Sequence, residues 1–119
     1  TDPITASYEA SVKLAATVAM RGLKPLSEAL AVSVEVFLPI AASWSKRDRA
    51  AAAAGTLHPP TRSDIDNFVK GIFDGANGVI WCDDSQIVSL SAIKRYSDHP
   101  RARLSVWLFD DDLPESELL

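Results

Sequence analysis

Four carboxylates and one lysine in the middle of the chain are the groups that could do chemistry: Asp64 with Asp66, Asp83 with Asp84, and Lys70 between the two pairs. Carboxylates that a fold gathers repel one another, so such a cluster usually holds a cation. Oxygen ligands favour Mg²⁺, with Mn²⁺ as the alternative ion, over Zn²⁺. A site of this kind supports in-line attack of water on a phosphodiester. The stretch therefore predicts a metal-dependent nuclease site.

Helical spacing decides which groups in the first part of this stretch can share one site. A helix turns about 100° per residue, so Asp64 and Asp66 lie on opposite faces if both are helical. They can hold one metal only if Asp64 precedes the helix, as its cap or as extended chain. Asp66 and Lys70 share a face, with Asp74 one turn further along. Lys70 is explained equally well by a surface ion pair and by a cation that contacts the scissile phosphate.

The second pair, Asp83 and Asp84, lies just before a segment with strand character. Adjacent residues of extended chain point in opposite directions, so one of the two is expected to face the site fully. The other is expected to bind a second ion or to orient a ligand. Turn chemistry explains an isolated Asp-Asp pair better, but the presence of Asp64 and Asp66 nearby favours a metal site.

The spacing of apolar residues predicts an α/β (α+β) domain in which two main helices pack on a small mixed sheet. The predicted elements are a first helix from Asp2-Pro3 with an apolar stripe up to Leu23, a strand at 31–38, a short helix capped by Ser43 or Ser45, a second long helix that begins at Ser63 or Asp64 and ends near Gly75 to Gly78, and strands at 87–96 and 101–109. A short turn separates the last two strands, which are therefore expected to form an antiparallel hairpin.

Basic side chains near these elements are candidate DNA contacts. Lys46, Arg47 and Arg49 lie beside Trp44, where a solvated helix turn anchored by the tryptophan is slightly favoured over contact with phosphate. His58 is better explained as a polar loop residue than as a ligand or a base. The candidate DNA-binding residues are Lys46, Arg47, Arg49, Arg62, Lys94 and Arg95.

Composition and charge limit the class of protein. The chain has 119 residues, of which 47% are hydrophobic and 24% charged, which fits one globular domain at 1–109. Residues 110–119 form an acidic tail that is expected to be disordered. Without the tail's five acids the net charge rises from -4 to +1, so the acidic total does not exclude nucleic acid as a partner. The chain shows neither a membrane-spanning apolar run nor a secretory signal.

Cys82 and the first residue of the chain are also informative. The lone Cys82 excludes an internal disulfide and a cysteine-based zinc site, and it suits a reducing cytoplasm. Residue 1 is Thr, and a helical pattern begins almost at once, so the native protein is expected to begin earlier.

Several of these residues together resemble the RusA family of Holliday-junction resolvases, which are small phage and prophage endonucleases. The matching motifs are Asp64-Ile-Asp66-Asn67 followed by Lys70, then Trp81-x-Asp83-Asp84-x-Gln86-x-Val88, with Ser43-Trp-Ser-Lys46 upstream and Lys94-Arg95-Tyr96 downstream. The similarity covers roughly residues 8–109. The family's N-terminal strand and its basic, proline-containing loop have no counterpart in this chain. The acidic tail of this chain has no assigned counterpart in the family.

The resemblance implies a Mg²⁺-dependent endonuclease that cuts four-way DNA junctions symmetrically, in the cytoplasm of a bacterial host. By motif position Asp64, Asp66 and Asp84 would be the metal-binding acids and Lys70 the catalytic lysine, with Asp83 as an additional acid. It also implies a small mixed α/β domain that forms a homodimer, which places two sites on one junction.

Two alternative functions remain open from the sequence. The same carboxylates would serve a nuclease that cuts flaps or replication forks. A non-catalytic DNA-binding or assembly module with a relic site is the alternative from another class. The intact set of acids with Lys70 argues against the relic, because decay should have removed at least one of them.

Overall fold

The central element is a strand whose two neighbours both come from the end of the chain. The computed structural model describes residues 3–59 and 65–110. Its elements are α1 (Pro3–Met20), β1 (Leu30–Pro39), α2 (Lys46–Ala54), α3 (Ile65–Ala76), a short 3₁₀ helix (Asp84–Gln86), β2 (Ile87–Ser97) and β3 (Arg101–Leu108). The fold is mixed α+β with a three-stranded mixed sheet, which confirms the predicted fold class.

The alternation of β1 sets the two faces of the sheet. Every second side chain from Leu30 to Val36 is buried, with at most 4% of its surface exposed, whereas the side chains between them are half-buried. The buried side packs against Ile72 and Ala76 of α3 and against Trp81. The sheet therefore has one face under the helices, called here the helix face, and one opposite it, called here the open face.

The predicted antiparallel hairpin between the last two strands is wrong. The strand order is β2-β1-β3, with β1 parallel to β2 and antiparallel to β3. The chain passes from β2 to β3 around the end of β1 through residues 98–100. Strands separated by one other strand are about 10 Å apart, and three extended residues span about that distance. Two alternating strands joined by a short turn therefore have the same sequence pattern whether or not β1 lies between them. The insertion of β1 is favoured because it satisfies the backbone groups on both edges of the most apolar strand.

The two long helices pack directly on each other. α3 contributes four buried residues, Gly71, Ile72, Gly75 and Ala76. α1 ends at Met20, and Arg21 and Gly22 then adopt left-handed backbone angles, φ 50° and φ 79°. Leu23, which the sequence placed on the helix stripe, lies beyond the helix and is 70% exposed. Among the described helices none is long and apolar enough to cross a membrane.

Gly75 of α3 lies in close contact with α1, and Gly75→Ala is expected to destabilise the fold. An added Cβ would lie 2.6 Å from Val12 Cγ1 and 2.7 Å from Val12 Cβ. Overpacking of this kind costs about 1–3 kcal/mol, whereas alanine gains about 1 kcal/mol of helix propensity over glycine. Denaturant unfolding measures the net change. Asn67→Ala, at an exposed position of the same helix, is the control; higher stability for Gly75→Ala would contradict the prediction.

Candidate active site

An open cleft of about 320 Å³ lies between α3 and the helix face of β2. Its polar lining consists of Asp66, Lys70 and Asp74 from α3 and of Asp84 from the 3₁₀ helix. The cleft therefore brings together three of the predicted site residues, Asp66, Lys70 and Asp84. Its apolar lining includes Phe73 of α3 and Leu90 and Ala92 of β2.

α3 presents three polar residues to the cleft because their spacing differs from that of its core residues. Asp66, Lys70 and Asp74 succeed one another at four-residue intervals and are all exposed, whereas Ile72 and Ala76 on another side of the helix are buried. In the described part of the chain no ion pair joins Lys70 to either carboxylate. The described residues thus give no support to an ion pair as the explanation of Lys70. The ammonium group of Lys70 is available to an anionic ligand.

Asp84 reaches the cleft through a hydrogen-bonded chain that starts in the core. The fully buried Trp81 donates its indole N–H to Asn77 Oδ1 at 2.6 Å, and Asn77 Nδ2 donates to Asp84 Oδ2 at 3.5 Å. The Trp81 ring meets Phe73, also a cleft residue, edge to face with centroids 5.5 Å apart. The carboxylate of Asp84 is therefore oriented by a side chain that is itself anchored to a rigid indole.

Asp83, in contrast, is not among the residues that line the cleft. It is the N-cap of the 3₁₀ helix: its carboxylate accepts from Ser85 N at 3.1 Å, and its own N–H donates to Gln86 Oε1 at 2.9 Å. Gln86 Nε2 donates to Leu26 O and Glu28 O, both at 2.9 Å, which ties the turn to the segment before β1. The Asp-Asp-x-Gln motif thus contains one cleft carboxylate and two residues that build the turn.

Hydrogen bonds from Ser85 lower the pKa of Asp83 below its ordinary value of 3.8. A carboxyl whose pKa is lower in the folded than in the unfolded chain stabilises the fold at pH values above the unfolded pKa. This contribution is lost as the pH falls through the lowered pKa, so the turn is expected to weaken only in strong acid.

A divalent metal fits the chemistry of the cleft, because its carboxylates offer the oxygen donors that Mg²⁺ and Mn²⁺ prefer. Within residues 3–59 and 65–110, however, no three side chains of metal-binding type are grouped closely enough to hold an ion. Asp64, the predicted third ligand, lies outside the described residues, as does Arg62. Asp66 and Asp84 are therefore the two predicted ligands whose common position in one cleft the structure describes.

Comparison with known proteins assigns the family. The model of the family described as Endodeoxyribonuclease RusA matches residues 1–107. The chain belongs to the RusA family. The resemblance found in the motifs is thereby confirmed. The chain is also 39% identical over 79 residues to the Uncharacterized protein YqaN of Bacillus subtilis (strain 168). That match covers 65% of this chain and 56% of the relative, and no solved structure matches the chain.

One basic cluster of this RusA family member lies on α2, which is attached to the end of β2. Ser45 caps α2 by accepting from Asp48 N at 3.1 Å, as predicted, and Trp44 meets Tyr96 of β2 edge to face with centroids 5.1 Å apart. The three basic side chains of this cluster are exposed: Lys46, Arg47 and Arg49.

The adjacent Lys94 and Arg95 are separated by the sheet. By alternation along β2, Lys94 shares the helix face with Leu90 and Ala92 of the cleft. Arg95 lies on the open face, where its guanidinium carbon is 6.0 Å from the centroid of the Phe37 ring. Of the two, only Lys94 is on the side of the sheet that carries the cleft with Asp66 and Asp84.

Asp74, which lines the cleft, and Asn77, which donates to the cleft residue Asp84, were not predicted as functional. In the sequence, Asp74 was recognised only as a neighbour of Lys70 on one side of the predicted second helix. Asn77 was recognised only as a residue that ends that helix. The spacing of acids by one turn along α3 could have indicated Asp74. Nothing in the local sequence could indicate Asn77, because its role depends on a contact between the end of α3 and the 3₁₀ helix.

Asn77→Ala is expected to weaken both activity and folding. It removes the donor to Asp84, and partners that orient a metal ligand are typically worth about 10–100-fold in metal affinity or activity. It also leaves the buried Trp81 N–H unsatisfied, which costs about 1–3 kcal/mol. Asn77→Asp is the matched variant, since it keeps the acceptor for Trp81 but loses the donor to Asp84. If Asn77→Asp cleaves DNA like the wild type, Asn77 does not position the carboxylate.

Proposed function

We propose that this protein is a Mg²⁺-dependent endonuclease that resolves four-way DNA junctions by paired symmetric cuts, in DNA recombination and repair or in phage DNA processing. One observation carries the proposal: Asp66, Lys70 and Asp84 line a single cleft in a chain that belongs to the RusA family. Carboxylates that can hold a divalent metal, with a lysine beside them, suit phosphodiester hydrolysis.

The side chains of the cleft have separate roles in this proposal. Asp66 and Asp84, together with Asp64, would hold Mg²⁺ or Mn²⁺, which when bound supplies Lewis-acid activation of water and of the phosphodiester. Lys70 donates hydrogen bonds to the scissile phosphate and stabilises the negative charge that develops in the transition state. Lys94 contacts the DNA backbone on the side of the sheet that carries the cleft, and the basic cluster of α2 contacts it near the end of β2.

A homodimer is expected, because a four-way junction has near two-fold symmetry and paired cuts need two sites. An isologous interface is the usual way to relate two such sites. Exposed apolar side chains are available on α1, where Leu14 and Val18 are each 67% exposed, and at the end of β3, where Leu108 of the helix face is 59% exposed. Analytical ultracentrifugation at micromolar concentration checks the prediction, and a monomer with DNA bound would contradict it.

A panel of branched DNAs tests the function directly. A four-way junction, a flap, a replication fork and a linear duplex are incubated with the protein and Mg²⁺, Mn²⁺ or EDTA. Symmetric cuts near the centre of the four-way junction, absent in EDTA, are the expected result. Cutting confined to flaps or forks would assign the other nuclease function. Binding without cutting under every condition would assign the non-catalytic module, and Asp66→Asn should then bind DNA as the wild type does.

A further inference from the structure

The open face of the sheet carries a cluster of arginines that the candidate active site does not use. Alternation and strand register define the side chains on this face. They are Ala31, Ser33, Glu35 and Phe37 of β1, Ser89, Ser91, Ile93 and Arg95 of β2, and Arg101, Arg103, Ser105 and Trp107 of β3. Glu35 is the one acidic residue in the three strands, so this face is basic at the end near Phe37.

The three arginines surround one aromatic ring. The guanidinium carbons of Arg101, Arg103 and Arg95 lie 3.9, 5.7 and 6.0 Å from the centroid of the Phe37 ring. All three arginines are exposed, and each comes from a strand paired with β1 at or beside Phe37. Stacking on an aromatic face holds a guanidinium in place, so less entropy is lost when it binds a ligand.

The cluster has more positive charge than its own carboxylate can balance. Arg103 forms an ion pair with Glu35 at 3.3 Å. Arg101 donates instead to neutral oxygens, to His99 O at 2.8 Å and to Ser97 Oγ at 3.4 Å. Three like charges around one ring repel one another, and an anion bound between them relieves that repulsion. The arrangement therefore favours an anionic ligand that offers several oxygens.

A nucleic-acid backbone fits this face better than a second copy of the chain. Two copies facing each other here would bring arginine clusters together, and like charges across an interface are unfavourable. A phosphate backbone offers repeated anionic oxygens that guanidinium groups bind in bidentate geometry. Four serines of this face carry hydroxyl donors of the kind that commonly contact phosphate and sugar: Ser33, Ser89, Ser91 and Ser105.

We propose that the open face is a second DNA-binding surface, separate from the catalytic cleft, which holds a duplex arm by its phosphate backbone. The proposal rests on the proposed function only in taking DNA as the substrate. Arms leave a branch point in several directions, so one protomer can hold one arm at the cleft and another on the opposite side of its sheet. Contacts to backbone alone carry no sequence information, so binding on this face is independent of sequence.

The test compares Arg101→Ala/Arg103→Ala with the wild type for binding to a four-way junction and to a duplex in EDTA, over a series of salt concentrations. Each lost phosphate contact lowers the salt slope by about one, so a fall of about two is expected. Affinity is expected to fall about tenfold or more, since a hydrogen bond to a charged group is worth at least that factor. Lys13→Ala/Lys24→Ala removes the same charge at exposed positions outside the sheet and should leave the slope unchanged.

Arg101→Lys tests the same surface if the double alanine variant fails to fold. It retains the charge but loses the planar fork, so junction affinity should fall while the salt slope stays nearly the same. Unchanged affinity in these variants would overturn the proposal. A wild-type protein that binds neither the four-way junction nor the duplex would also overturn it. Sedimentation showing that the substitutions dissociate a dimer would instead assign the face to a second copy of the chain.

The outcomes also separate this proposal from the proposed function. If the wild type cuts junctions in Mg²⁺ and the arginine variants bind DNA as it does, the second surface is wrong and the nuclease function stands. If the wild type cuts no branched DNA but binds it through the arginines, the nuclease function is wrong and the surface stands.

Discussion

Asp66→Asn is expected to cut a four-way junction slower than the wild type by orders of magnitude while still binding it. The substitution keeps the size and shape of the side chain but removes the charge that would hold the proposed metal. Asp66 is exposed in the cleft beside Lys70, so the fold does not depend on it. Phosphate contacts come mainly from Lys and Arg elsewhere, and the loss of one negative charge relieves repulsion of the DNA. Junction affinity should therefore be equal or higher.

Single-turnover cleavage and calorimetric titration with Mg²⁺ measure this effect. Asp64→Asn and Asp84→Asn should behave alike, and combining them should add little, because parts of one catalytic unit are far from additive. Asp98→Asn is the control, since it removes a carboxylate that is 83% exposed in the turn before β3. Asp83→Asn should be milder, because Asp83 caps the turn. A wild-type rate with wild-type Mg²⁺ dependence in Asp66→Asn would show that the metal site is wrongly assigned.

Lys70→Ala should lose about 100-fold or more in cleavage rate while metal binding is retained, as is typical when one positioned transition-state donor is removed. The cause differs from that in the acidic variants. Lys70 lines the cleft with Asp66 and Asp84, and in the described residues it is not tied to a carboxylate. Its charge is thus free to act on the substrate rather than on the fold.

The same two measurements distinguish this role from a structural one. Lys13→Ala, at an exposed position of α1, controls for the loss of one positive charge. Unfolding should be little changed in Lys70→Ala, because an exposed ion pair would contribute at most about 1 kcal/mol. A variant that cleaves normally but unfolds more easily would assign Lys70 to stability alone, and loss of Mg²⁺ binding would place it within the metal site.

The sequence predicted those parts of the site that depend on spacing within one element. The four-residue interval between Asp66 and Lys70 requires only that α3 is a helix, and the cleft contains both. The alternation that separates Lys94 from Arg95 was also available in the sequence. Asp84 was identified from its motif, but the means by which it is held was not, because the bonds through Asn77 join segments that no local pattern relates.

For the fold, too, the sequence predicted the features that depend on one element and not those that depend on contacts between elements. β1 and β3 were visible from their period of two and β2 from an imperfect alternation, since such a pattern depends on the residues of the strand alone. Which strands pair depends on the edges of the sheet, and a hairpin and a crossing around β1 leave the same pattern in residues 87–108. The burial of β1, from Leu30 to Val36 on the helix face, is the physical preference that decides between them.

The passage of the chain around the end of β1 has a consequence for how the protein folds during synthesis. β1 (Leu30–Pro39) leaves the ribosome long before either of its partners, β2 (Ile87–Ser97) and β3 (Arg101–Leu108). Until those strands are made, both edges of the most apolar strand stay unpaired, and such edges are prone to pair with other chains. Contacts this distant in sequence also slow folding. The step that completes the sheet therefore waits for the C-terminal part of the chain, and nascent chains that end before Ile87 should depend on chaperones to remain unaggregated.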